Sequence, residues 1–368
     1  MKKILIVGIK EYPLGSSNGE DKRSLGGIEY GLSRIIYGLK SEFNLTIITR
    51  KFLNTPSLEK NKQLKIIRLK WIKGFLRGVS YNANTFFYLL FKKIDFDVVI
   101  TSGLFSTFFI GFLKLIRFKK FKILCRWDTP LYLLNSKIYF PLEFVTYNYL
   151  IDYFVLKDIF EVERVKRLYF IKKNIFLIGG FGVKNNLDLN KNKIFKRNNL
   201  SAIFIGRLID QKNILLTIDV FKELNKLIKI ELKIFGEGPL KEKIINYINQ
   251  NNLTFIKYMG YTKNSLKEIN NASFLILLSK TEGLPNVALE AMSCKTPIFI
   301  SSIGLFNKDI VNLIDISQSD YKIALNIHSM ILDKEKMILK ANRAYKYYKK
   351  YYNYNNMIAN YKKIIKSI

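Results

Sequence analysis

Short runs of β-branched and aliphatic residues alternate along this chain with longer stretches whose apolar residues recur every three or four positions. Lys3–Gly8 (KILIVG) is apolar after its first lysine, the pattern of a strand buried on both faces. Gly27–Lys40 follows, with Ile28, Leu32, Ile35, Ile36 and Leu39 on one helical stripe. The alternation predicts strands at Leu45–Thr49 and Leu64–Leu69, a helix at Asn82–Phe91 and a strand at Asp97–Thr101. A helix at Ser106–Ile116 comes next, then strands at Phe121–Cys125, Asp152–Leu156 and Asn174–Ile178. Strand–helix–strand units in series imply a parallel sheet with helices on both faces.

The pattern then restarts. Leu200–Gly206 (LSAIFIG) reads as a strand and Asn213–Leu227 as a helix. Glu231–Gly236 is a strand before a helix from Leu240. Phe255–Tyr258, Ala272–Ser279 and Pro297–Ser301 are further strands, the last two separated by a helix at Asn286–Cys294. The weakly apolar stretch Gly179–Asn199 joins the two series. The expected organisation is a doubly wound domain over 1–180 and a second over 181–345. A terminal helix over 346–368 is expected to pack back on the first. Such domains in tandem are expected to face each other across a cleft, because ligands of open α/β sheets bind beyond the strand C-termini.

The length of 368 residues suits two domains of about 150 residues each. Two cysteines, Cys125 and Cys294, exclude a disulfide framework and a cysteine zinc cluster. The one histidine, His328, excludes a paired-histidine metal site. Charge changes the picture more. Sixty-one basic residues against 29 acidic give a net charge of +32, spread over both halves, which favours polyanionic partners or reflects a bias in residue usage. The longest apolar stretch, Leu104–Leu113, is shorter than the ~20 residues of a membrane span. Met1-Lys2-Lys3 precedes an apolar run too short for a secretory signal, so the expected location is the cytoplasm. Lys65–Arg77 (KIIRLKWIKGFLR) and Phe112–Lys122 (FLKLIRFKKFK) mix cations with large apolar residues. They read as core segments or as surfaces for an anionic membrane, here its inner face. The Lys/Tyr-rich Asp333–Ile368 reads as a terminal packing helix or as a nucleic-acid arm.

Candidate chemistry lies at the strand ends. Gly26-Gly27-Ile28-Glu29 opens the first long helix, where glycines and free N–H groups suit close approach to an anion. Gly206-Arg207-Leu208-Ile209-Asp210-Gln211-Lys212 follows the first strand of the second series, and its two cations can neutralise a diphosphate. Glu282-Gly283-Leu284-Pro285-Asn286-Val287-Ala288-Leu289-Glu290 runs from a loop into a helix. Its two carboxylates suit sugar hydroxyls, and the N–H groups near Asn286 and Val287 suit whatever lies between. Gly236-Glu237-Gly238-Pro239 and Gly260 end two neighbouring strands, as turns or as points of close backbone approach.

Five motifs in this order resemble the retaining glycosyltransferases of family 4: GGIE at 26–29, IFIGRLIDQKN at 203–213, KIFGEGP at 233–239, YMG at 258–260 and EGLPNVALEAMSCKTP at 282–297. The last contains the family's pair of glutamates with seven residues between them. The resemblance implies the GT-B fold, two Rossmann-like domains facing across a cleft. It implies a nucleotide-sugar donor, UDP- or GDP-linked, held mainly by the second domain, and a glycan or lipid-linked acceptor held by the first. It implies neither metal nor cofactor. Arg207 and Lys212 would grip the diphosphate, Glu282 the donor sugar and Glu290 the ribose. Gly26 and Gly27 would approach the phosphates from the first domain. Gly206, Gly236, Gly238, Leu284, Asn286 and Val287 would line the donor site, with the backbone near Met259 meeting the base.

The chain departs from the family in three places. Arg126-Trp127-Asp128-Thr129-Pro130 stands where many relatives carry a His-Asp pair. Trp127 then replaces the histidine and Asp128 remains as a polar candidate. Lys295 stands where a glycine is frequent, and no acidic motif follows Ser301. These departures leave a second reading, a catalytically weak nucleotide-sugar-binding protein. A sugar epimerase or phosphorylase on the same fold and a basic nucleic-acid-binding protein are the others. No nucleic-acid partner is expected on the leading reading.

Overall fold

The computed structural model describes residues 1–16, 27–72, 77–117, 120–127, 137–157, 160–171, 176–178, 182–185, 200–282, 284–303 and 306–368. The chain forms two compact units. One is Met1–Gly182 with Tyr354–Ile368, the other Val183–Asn353.

The first unit opens with β1 (Lys3–Val7), α1 (Gly27–Leu39), β2 (Asn44–Arg50), β3 (Leu58–Lys60) and β4 (Leu64–Leu69). It continues through α2 (Arg77–Phe91), β5 (Val98–Ser102), α3 (Leu104–Arg117) and β6 (Lys122–Arg126). α4 (Phe140–Val145), β7 (Tyr153–Leu156), α5 (Phe160–Tyr169) and β8 (Phe176–Ile178) follow. Among the described residues the sheet has eight strands in the order β3-β4-β2-β1-β5-β6-β7-β8. All neighbours are parallel except β3, which runs antiparallel to β4 at the edge. Ile4–Val7 of β1 and every residue of β5 are buried, as strands covered on both faces must be.

The second unit contains β9 (Leu200–Ile205), α6 (Ile214–Leu227), β10 (Ile230–Phe235), α7 (Lys241–Gln250) and β11 (Ile256–Gly260). Then come α8 (Ser265–Asn271), β12 (Phe274–Leu277), α9 (Asn286–Ser293), β13 (Ile298–Ser301) and β14 (Asn312–Ile314). α10 (Asp320–Leu332) and α11 (Lys334–Tyr347) complete it. Its strands run β11-β10-β9-β12-β13-β14, all parallel. α6 buries Ile214, Ile218, Phe221 and Leu224, the apolar stripe of its sequence.

The chain returns to the first unit with α12 (Tyr354–Ser367). The sequence reading begins the returning segment at 346, but the second unit extends to Asn353. There the bridge between Val183 and Asn353 and the bond from the Tyr348 hydroxyl to the Val183 carbonyl oxygen (2.9 Å) hold the chain. On the first unit Met357, Ile358, Tyr361, Ile364 and Ile365 join the core formed by Leu32, Ile35, Ile36 and Leu39 of α1. Gly38 permits the approach, since a Cβ there would meet Ile358 Cδ1 at 2.2 Å. The first boundary falls between Gly182 and Val183, and residues 186–199 of the expected connection lie outside the described residues.

Candidate functional site

In the second unit the strand order reverses at β9, which lies between β10 and β12. A reversal sends the two following loops in opposite directions and opens a crevice beyond the strand C-termini. The loop after β9 carries residues 206–213 and the loop after β12 carries residues 278–285, so the two strongest sequence motifs flank that point.

The neighbouring turns form a tied platform. The Gly206 N–H donates to the Phe235 carbonyl oxygen (3.0 Å), the Leu208 N–H to Glu237 (3.0 Å) and the Leu240 N–H to Leu208 (3.1 Å). The Gly236 N–H donates to Gly260 (2.9 Å), and the Tyr258 hydroxyl to the Gly236 carbonyl oxygen (3.0 Å). Gly236 has a φ of 149°, and a Cβ on it would lie 1.8 Å from the Gly206 carbonyl oxygen. On Gly238 a Cβ would lie 2.4 Å from the Leu208 oxygen. Backbone packs on backbone here, so a side chain has no room.

Across the reversal, Lys212 forms an ion pair with Glu282 Oε1. Lys212 ends a short 3-10 turn, and Asn213 then takes a φ of 52° before α6 begins. Glu282 is buried, and the Ser279 hydroxyl donates to the same Oε1 at 2.8 Å. Ser279 is fixed by Ser301, whose hydroxyl donates to its carbonyl oxygen at 2.7 Å. Gln211 Nε2 donates to the Thr281 oxygen (2.9 Å), and the Lys280 N–H to the Gln211 oxygen (2.9 Å). Lys280 Nζ pairs with Asp210 at 2.8 Å. The two loops are thus clamped around one buried carboxylate, whose charge is met by an ammonium and a hydroxyl.

The sequence reading groups Lys212 with Arg207 on a diphosphate and keeps Glu282 for the sugar. In the structure Lys212 pairs with Glu282, and the Arg207 side chain is exposed and makes no ion pair among the described residues. Spacing along a chain cannot reveal a partner seventy positions away. Ser279, Gln211 and Ser301 were not singled out by sequence. The hydroxyl three residues before Glu282, ending the run FLILLS, is the signal that finds Ser279.

The remaining residues are distributed as follows. Glu290 is half-buried in α9, Met259 is exposed on β11, and Leu284, Asn286 and Val287 are partly exposed. α9 starts at Asn286, one residue after the proline, and Pro285 is its N-cap rather than its first turn. Its internal bonding begins when the Ala288 N–H donates to the Pro285 oxygen (3.1 Å), leaving the Asn286 and Val287 N–H groups as the helix's anion-favouring end. Gly27 opens α1 in the first unit, and Glu29 is buried 3.5 Å from Lys10 Nζ. Gly26 and Asp128 lie outside the described residues.

Two departures from the family pattern acquire physical explanations. Trp127, read as the stand-in for a histidine, is 3% exposed and packs with Leu104, Cys125, Tyr147 and Phe154. It is a core residue. Lys295 has a φ of 51°, the left-handed conformation that glycine adopts without strain, and its ammonium sits 5.0 Å from the Tyr345 ring centre.

Residues 186–336 match the family model of glycosyl transferases group 1. An uncharacterised glycosyltransferase of Methanocaldococcus jannaschii is 24% identical over 78% of this chain and 78% of its own length. This chain is a glycosyltransferase. The glycosyltransferase also resembles CapH of Staphylococcus aureus, a capsular polysaccharide biosynthesis glycosyltransferase, with 31% identity over 37% of this chain and 42% of that one. Its fold is GT-B. The structure of sucrose-phosphate synthase from Thermosynechococcus elongatus superposes with a TM-score of 0.80 at 16% identity, covering 100% of this chain and 99% of that one. Anabaena HepE, solved with UDP and glucose, superposes with a TM-score of 0.74 at 13% identity over 100% of both chains.

Proposed function

We propose that this glycosyltransferase moves a sugar from a UDP-linked donor to a glycan or lipid-linked acceptor, with retention of anomeric configuration and without a metal. The observation that carries the reading is the Lys212–Glu282 pair, which spans the two loops at the strand-order reversal. The UDP preference draws on HepE, whose structures hold UDP and UDP-glucose. The glycan acceptor draws on the capsular polysaccharide role in the name of CapH.

An ammonium has three N–H donors, and Lys212 gives one to Glu282. The other two are available to oxygens of a diphosphate. Arg207 supplies a fork of donors from the same loop. Charge developing on the departing diphosphate then meets two positioned cations, the role a metal plays elsewhere. Glu282, acceptor-only when ionised, takes hydrogen bonds from donor sugar hydroxyls, and Glu290 from the ribose. Retention follows when the leaving phosphate accepts the acceptor's proton on the face it leaves.

The test is a donor panel of UDP-, GDP- and ADP-sugars, with the product's anomeric configuration read by NMR and parallel reactions in chelator. A retained configuration, UDP selectivity and activity in chelator are expected. An inverted product, or activity that chelator abolishes and manganese restores, would overturn the mechanism. Donor hydrolysis without acceptor separates an active enzyme from a binding protein.

A further inference from the structure

A helix on the surface of a water-soluble fold turns its polar residues outward. α3 buries Leu104, Ile110 and Leu113, but it also turns small and polar residues inward and large apolar ones outward. Its buried positions include Ser106, Thr107 and Gly111. The Ser106 hydroxyl donates to the Ser102 carbonyl oxygen and the Thr107 hydroxyl to Thr101 Oγ1 (2.9 Å). At Gly111 a Cβ would come within 2.5 Å of Leu150. Facing outward are Phe112, 44% exposed, Leu115, 57%, and Ile116, 45%.

The adjoining α2 continues this surface. Phe87 is 52% exposed and Phe91 77%. Phe86 bridges the helices, with ring centres 5.3 Å from Phe87 and 5.8 Å from Phe112. Arg117 of α3 donates to the Leu90 carbonyl oxygen of α2, so the two helices end side by side. An apolar face of this extent marks an interaction site.

The charge around it selects the partner. Neither helix contains an acidic residue. Lys70 and Lys92 line a shallow cavity of about 340 Å³ with Phe87 and Phe91, and Lys93 follows directly. All three lysines are exposed and none has an ion pair among the described residues. Of the next acids, Asp95 pairs with the Lys3 ammonium at 3.9 Å and Asp97 accepts from the Lys3 backbone N–H at 2.8 Å. A second copy would bring the same cations face to face in a chain of net charge +32.

We propose that the outer face of α2 and α3 docks on an anionic lipid surface. The rings enter the boundary between headgroups and acyl chains, and Lys70, Lys92 and Lys93 meet the headgroups. No helix among the described residues is long and apolar enough to cross a membrane, so the contact is made from one leaflet.

Vesicle co-sedimentation tests this without reference to catalysis. The full chain is mixed with phosphatidylcholine vesicles or with vesicles containing phosphatidylglycerol. Binding to the anionic vesicles alone is expected, weakening as salt rises. Lys92→Gln with Lys93→Gln should weaken it about 25-fold, about fivefold per lysine. Phe91→Ser should weaken it by about tenfold or more. Lys322→Gln with Lys336→Gln, on exposed positions of the second unit, should leave it unchanged. Equal binding to both vesicle types, no binding to either, or equal losses in the two lysine pairs would overturn the proposal. So would a dimer, seen by sedimentation, that Phe91→Ser dissolves.

Discussion

Replacing Lys212 by methionine keeps the volume of the side chain and removes its charge, leaving the buried Glu282 carboxylate with Ser279 as its remaining described partner. Removing one member of a buried ion pair costs about 3–5 kcal/mol. Lys212 is 15% exposed and Glu282 7%, and the Ser279 hydrogen bond survives, so a loss of about 2–3 kcal/mol is expected. In a unit of this size that lowers the melting temperature by about 5–10 °C. Glu282→Gln should cost less, because the amide oxygen can still accept from Ser279. The double variant should recover part of the sum, with a coupling energy of about 1.5–3 kcal/mol. Urea unfolding followed by far-UV circular dichroism measures the cycle. Trp71 and Trp127 both belong to the first unit, so their fluorescence is an internal control that should not shift. A coupling below about 0.5 kcal/mol, or Lys212→Met as stable as the parent, would refute the argument that this pair clamps the loops.

Gly236→Ala should disrupt the platform of tied turns, since its Cβ would lie 1.8 Å from the Gly206 oxygen; on the proposed donor site it should also abolish UDP binding in calorimetry. Burial, then the hydrogen bond to Glu237, pushes the Tyr258 hydroxyl up to about 12. The folded state therefore keeps this proton above pH ~10, where the unfolded chain loses it. Stability contributed by Tyr258 is complete below pH ~10 and falls as pH rises towards about 12, so Tyr258→Phe should flatten the fall of the urea midpoint over that range. Deleting residues 354–368 should expose the core beside α1 and yield a chain that binds a hydrophobic dye or aggregates.

Both sheets are legible because β1, β5, β9 and β12 each carry a run of three or more buried, mainly apolar residues. Helical segments rich in aromatic residues were harder. Phe140–Val145 and the turn through Leu150 are apolar on several sides, which blurs the period. β3, only three residues and half-exposed, leaves no signal. α10 does carry a signal in the sequence: Ser319 caps it through the Lys322 N–H, and Ile323, Ile327 and Ile331 mark its stripe. At the candidate site the loops were found from their glycines and charges. The Lys212–Glu282 pair was not, because pairing across a sheet reversal depends on strand order. The apolar content of Phe112–Lys122 was read as core or membrane surface, and only the burial of Ser106 and Thr107 shows which side of α3 faces out.

The discontinuous first unit bears on biosynthesis. α12 supplies Met357, Ile358, Tyr361, Ile364 and Ile365 to a core whose other residues are translated long before. On the ribosome the second unit, continuous from Val183 to Asn353, has all of its residues before the first does. The usual order of domain maturation is thereby inverted, and the nascent amino-terminal half waits with an uncovered groove that chaperones would recognise.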